Sequence, residues 1–363
     1  MNALKDMLSV QPELALPLGG VIIGFAFGAI TLKTNFCTMG ALSDATTFGD
    51  WRRLRAWLLA IAVSIAGAQG LAAAGIVDLA KSMYLGPSLG WAGHILGGLM
   101  LGFGMVFTGG CPSRNIARAG SGDLRALLVL VVVGIFAYIA IGGLLGPARA
   151  ALDAATSIDL ARFGAPTQGL GAVLAAATGF SALSQPFLLG PVITAGLLAY
   201  CFADAGFRGS WGHILSGLGI GLCIVAGWAV TGLAFDELSA KPIAPISLTF
   251  VRPSGDTLEW MQRYTALGAP GFGVSSLLGA LAGACTVALL LGRLRLQTFA
   301  DAGDTVRCLG GAALMGVGGV LALGCTVGQG ITGLSTLALG SFLTFAGIVL
   351  GGVTALRVMT RMA

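Results

Sequence analysis

Apolar residues run along this chain in blocks long enough to cross a bilayer, broken by short segments rich in glycine, arginine or aspartate. About 20 apolar residues of helix span a hydrocarbon core. By that measure the blocks expected to span are Leu16–Leu32, Leu54–Ile76, Trp91–Phe107, Leu124–Leu145, Phe187–Ala203, Trp211–Leu233, Phe272–Leu291, Leu309–Leu323 and Leu334–Leu356. Gly169–Ala182 is apolar but too short to cross, and is expected to be a half-helix or re-entrant segment. Leu309–Leu323 is also short, which points to a broken helix. The fold class predicted is all-α: a polytopic integral membrane protein of about nine transmembrane helices plus short re-entrant helices.

The arginines orient these blocks. Arg52, Arg53 and Arg55 follow the first, Arg114, Arg118 and Arg125 the third, Arg293 and Arg295 the seventh, and Arg357 and Arg361 the last. With nine spans all four groups fall on one side. The positive-inside rule makes that side cytoplasmic, with the N-terminus outside and the C-terminus inside. The expected location is the inner (plasma) membrane of a bacterium.

Composition agrees. The chain of 363 residues is 56% hydrophobic and only 10% charged, against about 25% charged in soluble domains. Mean hydropathy is +0.91. The net charge of +5 resides in short loops and is a topology signal, so nucleic acid is not an expected partner. The 59 glycines fit close helix packing, as in Gly98-xxx-Gly102, Gly217-xxx-Gly221 and Gly347-xxx-Gly351. No cleavable signal pattern precedes the first block. Seven cysteines, mostly inside apolar runs, argue against a disulfide framework.

Three of those cysteines stand at glycine-rich polar breaks. They are Cys37 in Asn-Phe-Cys-Thr-Met-Gly, Cys111 in Thr-Gly-Gly-Cys-Pro-Ser-Arg-Asn, and Cys325 in Leu-Gly-Cys-Thr-Val-Gly-Gln-Gly. The other four (Cys201, Cys223, Cys285 and Cys308) lack that frame and read as small packing residues. A thiol is soft, polarisable and a weak donor, so it suits a soft sulfur or selenium atom, or a soft metal, better than a hard oxyanion. Asn35, Thr38, Ser113, Asn115, Thr326 and Gln329 add neutral donors. Gly110, Gly324 and their neighbours allow bare backbone amides, and helix N-termini starting there attract an anion. No carboxylate or histidine lies in these motifs, so an anion is favoured over a metal, and no metal or cofactor is expected. Arg114 is either an anion contact or a topology marker. His94 and His213, in matching Gly-His-Ile-Leu frames near a tryptophan, are expected as caps or interfacial anchors, with a gating or proton-linked role as the alternative.

The Cys111 and Cys325 segments resemble each other. Gly102 and Gly316 lie nine residues before their cysteines, Gly104 and Gly318 seven, and Gly110 and Gly324 one. In a nine-span topology these copies run in opposite directions. The expected arrangement is one membrane domain with an inverted pseudo-two-fold repeat, approximately 15–147 and 211–357, joined by 148–210. Shifting Cys37 by the same offset lands at Val251, in the polar stretch Ser247–Asp256, a candidate fourth re-entrant element.

On Asn35-Phe-Cys37, Gly110-Cys111-Pro-Ser-Arg114-Asn with Arg118-Ala-Gly120, and Gly324-Cys325-Thr-Val-Gly328-Gln-Gly330-Ile-Thr-Gly333, the chain resembles the YeeE/YedE sulfur transport family over essentially its full length. The resemblance implies an hourglass-shaped helical transporter, not an enzyme, that takes up thiosulfate or a closely related sulfur anion. It implies functional thiols at Cys37, Cys111 and Cys325, which pass the terminal sulfur along by transient S–H···S hydrogen bonds. It also implies a cytoplasmic TusA-like sulfur carrier or a sulfurtransferase as partner. Around the thiols, Asn35, Gly110, Arg114, Asn115, Gly324, Thr326 and Gln329 are the expected pathway residues. The alternatives are a transporter of a selenium compound or metal–thiol species, and a membrane thiol enzyme that transfers sulfur. The enzyme reading lacks a Cys-x-x-Cys pair or a thiol beside a base.

Overall fold

In the computed structural model, which describes residues 12–180, 186–235, 244–299 and 301–362, a helix occupies most of each apolar block expected to span. The long helices are α1 (Pro12–Thr34), α2 (Arg52–Ala73), α3 (Trp91–Phe107), α4 (Leu124–Ile141), α5 (Pro186–Ala203), α6 (Trp211–Leu233), α7 (Phe272–Leu290), α8 (Ala302–Leu321) and α9 (Leu339–Met362). Seven stretches are long and apolar enough to cross a membrane: Leu14–Phe48, Arg52–Ala73, Trp91–Gly120, Leu124–Ile141, Trp211–Leu233, Phe272–Leu290 and Leu339–Arg361. α5 is a shorter apolar helix over Leu188–Ala203, and α8 carries Asp304 and Arg307 near its start. The protein is an all-helical, polytopic membrane protein. Among the described residues the sheet is one antiparallel ribbon, β1 (Ser88–Gly90) with β2 (Ser157–Asp159).

Local chemistry sets the helix ends. Asp123 caps α4 by accepting from the Ala126 amide at 3.1 Å, and Asp301 caps α8 by accepting from the Asp304 amide at 2.7 Å. α8 starts seven residues before its apolar block because Arg125 of α4 neutralises Asp304 at 2.7 Å. α1 stops where Asn35 takes the left-handed conformation, φ 55°, a region asparagine tolerates better than most residues.

Glycine then sets how closely the helices approach. A Cβ on Gly24 or Gly28 of α1 would stand 2.1 or 2.0 Å from a carbonyl oxygen of α7, and one on Gly279 or Gly283 of α7 would stand 2.3 or 2.0 Å from one of α1. That is small-residue packing of membrane helices, backbone against backbone. α3 and α8 cross in the same way: Gly97 meets the Gly318 carbonyl and Gly104 the Gly311 carbonyl, each contact reciprocated.

The larger packing follows a pattern. α1 lies on α7 and α6 on α2; α3 lies on α9 and α8 on α4; α3 meets α8, and α1 meets α6. Exchanging α1 with α6, α2 with α7, α3 with α8 and α4 with α9 turns this set of pairings into itself.

Short helices fill the breaks between the long ones. Thr38–Ser43, extended by a wide turn to Phe48, follows α1; Pro112–Gly120 follows α3; Val251–Gln262 precedes α7; and residues 326–335 link α8 to α9. Within Gly169–Ala182, whose last two residues lie outside the described ones, Leu170–Thr178 forms a short helix. Three arginine groups meet at one end of the molecule. The Arg295 amide bonds to the Ser121 carbonyl, and Arg53 and Arg114 both reach Asn35. The other end holds the ribbon and segments 77–90 and 160–170, tied to the start of α9 through Leu170 to Leu337 and Leu339 to Gln168.

Candidate functional site

Three of the four short helices begin at a cysteine. Cys37 is the N-cap of Thr38–Ser43, and its sulfur accepts from the Gly40 amide at 3.5 Å. Cys325 immediately precedes the helix at 326, and its sulfur accepts from the Gly328 amide at 3.3 Å. Cys111 is the N-cap of Pro112–Gly120, with Pro112 in the first helical position, and its sulfur meets Ser113 Oγ at 3.1 Å. The fourth helix begins after Phe250, one residue before the position expected at Val251. Its neighbour Thr249 directs its hydroxyl at the Cys325 sulfur, 3.9 Å away.

These N-termini converge. The side chains of Cys37 and Cys111 interact directly, and Thr326 lies beside Cys111. Cys111 and Cys325 belong to the same buried core. All three sulfurs are enclosed, at 5%, 1% and 0% residue exposure for Cys37, Cys111 and Cys325. Each stands where the first unpaired amides of a helix create positive potential. The site can therefore offer a soft sulfur contact inside a field that favours an anion.

The polar residues expected around the thiols divide into two groups. Gln329 and Asn115 hold the frame. Gln329 Nε2 donates to the Ala322 carbonyl at 2.6 Å, and its Oε1 accepts from Ser341 at 2.6 Å. Asn115 Nδ2 donates to the carbonyls of Gly110 at 2.8 Å and Cys111 at 3.2 Å. Both thus satisfy carbonyls left open where the chain leaves α8 and α3. Gly110 and Gly324 let the chain turn close against Arg114 and Gln329. Buried donors with no hydrogen-bond partner among the described residues form the second group: Thr38 Oγ1, Thr326 Oγ1 and Arg114 Nη1. Each such group costs about 1–3 kcal/mol. Arg114 turns inward and donates through Nη2 to Asn35 Oδ1 at 2.9 Å, whereas Arg53 holds the Asn35 carbonyl at 2.7 Å and Asp44 at 2.8 Å.

Sequence reading missed two residues. Trp57, stacked between Phe36 and Phe345, and Tyr84 are buried with unpartnered polar atoms. Both sit in apolar or mixed surroundings that give no polar signal. His94 also departs from expectation. It is buried between α3 and α9, with Nδ1 2.8 Å from Thr344 Oγ1, and is not an interfacial anchor. His213 does stand at a cap, 2.6 Å from Ser210. Cys201 and Cys308 behave as packing residues, each placing its sulfur 3.3 Å from a backbone carbonyl.

The sulphur transport family model matches residues 33–354, which take in all four short helices. The chain belongs to the sulphur transport family. It is 26% identical to the thiosulfate transporter TsuA of Escherichia coli (strain K12) over 352 residues, 93% of each chain. It is 24% identical to the thiosulfate transporter TsuA of Spirochaeta thermophila over 350 residues, 94% of this chain and 98% of that one. A shorter match, 30% over 115 residues, links it to the probable transporter YedE of Escherichia coli, covering 32% of this chain and 26% of that one. Membership makes this a sulfur transporter and sets aside the membrane thiol enzyme.

Proposed function

We propose that the protein imports thiosulfate, or a closely related sulfur anion, through a central route formed by Cys325, Cys111 and Cys37. The observation that carries this reading is the meeting of three buried thiols at helix N-termini. The N-termini favour the charge, and the thiols meet the soft terminal sulfur. Hydrogen bonds of the S–H···S type are weak. A substrate handed between weak sites can leave each of them, which conduction requires. Thr38, Thr326 and Arg114 supply donors for the sulfonate oxygens, with Asn35 orienting Arg114.

The reading extends to the whole molecule. The exchange symmetry of the packing and the reciprocal Gly97–Gly318 and Gly104–Gly311 contacts favour two inverted repeats, approximately 15–147 and 211–357, joined by 148–210. The arginine end faces the cytoplasm of a bacterial inner membrane, with the N-terminus periplasmic and the C-terminus cytoplasmic. In that orientation Cys325 belongs to the outer half of the route and Cys37 to the inner half. A cytoplasmic TusA-like carrier or sulfurtransferase then receives the sulfur. The two TsuA relatives, similar along nearly their whole length, support the choice of anion.

The deciding experiment is uptake of labelled thiosulfate by cells without their own sulfur importers. Wild type is compared with Cys111→Ser and Cys325→Ser at matched membrane levels. Uptake by wild type and its loss in both variants is the expected result. Full uptake in both variants would remove the thiols from the route.

A further inference from the structure

Tyr84 lies in the segment between α2 and α3, at the end of the molecule away from the arginines. It is 2% exposed, and its hydroxyl finds no partner among the described residues. A buried phenol with nothing to bond is disfavoured relative to phenylalanine, which fills the same space without an unsatisfied group. The ring is nevertheless fixed. It packs edge-on against Trp228 at 6.2 Å, and Trp228 Nε1 donates to Ser335 Oγ at 2.9 Å. Ser335 closes the same short helix that opens after Cys325, and Gln69 Nε2 holds its carbonyl at 3.0 Å. Tyr84 is therefore anchored to the helix that opens after Cys325, and its chain neighbour Met83 lines a second cavity, of about 210 Å³, with Thr249 and Gly324 beside that cysteine.

A cavity of about 440 Å³ adjoins this arrangement. Its walls include Leu79 and Leu85, on either side of Tyr84 in sequence, and Thr336 and Leu337, which follow Ser335. Burial pushes the phenol above its ordinary range, so the hydroxyl remains a donor at physiological pH.

We propose that the Tyr84 hydroxyl is a binding donor for the transported anion at Cys325, taking a sulfonate oxygen while the thiol meets the terminal sulfur. The inference rests on the thiosulfate reading above. It adds a donor that the Gly-Cys motifs do not contain, placed before the Cys111–Cys37 pair for an anion entering from this end.

The test is Tyr84→Phe, which keeps the ring and its contact with Trp228. Uptake of labelled thiosulfate is measured against concentration, and thermal unfolding is measured on the purified full chain in detergent. The expected result is a KM about tenfold or more above wild type, the scale set by loss of one hydrogen bond to a charged group, with a melting temperature no lower. A KM within twofold of wild type overturns the proposal, as does a higher KM accompanied by a lower melting temperature, which marks a structural role. Wild-type protein that takes up no thiosulfate ends the transport reading and this inference together. Normal wild-type uptake, lost in Cys325→Ser but unchanged in Tyr84→Phe, ends this inference alone.

Discussion

Cysteine is an uncommon N-cap, a position usually held by serine, threonine, aspartate or asparagine. At Cys37 and Cys325 the sulfur performs the capping bond, and the route proposed above passes the same atoms. Serine can cap in its place but offers no soft contact. Cys37→Ser is therefore expected to stay within about 1 kcal/mol of wild-type stability while losing uptake, measured by thermal unfolding beside the transport assay. Gln329 predicts the opposite pattern. Gln329→Leu leaves the Ala322 carbonyl and Ser341 without partners in a buried turn, and should cost about 1–3 kcal/mol in the same melt. For Cys201→Ala, away from the short helices and with its sulfur on the Arg55 carbonyl, uptake should be unchanged.

Among the elements, glycine decides which helices touch. Gly28→Ala would press a methyl group into the Ala280 carbonyl at 2.0 Å, so α1 and α7 must separate. Gly196→Ala, at a position in α5 with open space around it, should instead gain about 0.5–1 kcal/mol from helix propensity. Comparing the two melting temperatures separates packing from propensity. This scale was also the most legible in the sequence, because hydropathy alone places long helices. The apolar blocks and the Gly-Cys frames were readable, and so was a short structural element near Val251, where a helix starts after Phe250. The start of α8 was hidden, since Asp304 reads as a loop residue until Arg125 is found beside it. Tyr84 and Trp57 were hidden too, because an unpaired hydroxyl or indole is defined by what surrounds it in space. Gln329 and Asn115 were visible as polar residues, but only the structure shows their donors bonded to backbone.

At the scale of the whole molecule, the arginine end and the ribbon end should lie on opposite sides of the membrane. A single added thiol tests this. Gln297→Cys, at an exposed position of the arginine end, should react with an impermeant maleimide only after spheroplasts are opened. Ala161→Cys, exposed at the other end, should react while they are intact. The near-complete enclosure of Cys37, Cys111 and Cys325 has a physiological consequence. A route stopped by packed side chains gives a hydrated chloride or sodium ion no replacement for its water, and stripping that water in a low-dielectric interior is prohibitive. A cell could then keep many copies in its membrane without short-circuiting the voltage that powers its other transporters. Proteoliposomes carrying the protein should hold an imposed potential as long as empty ones do.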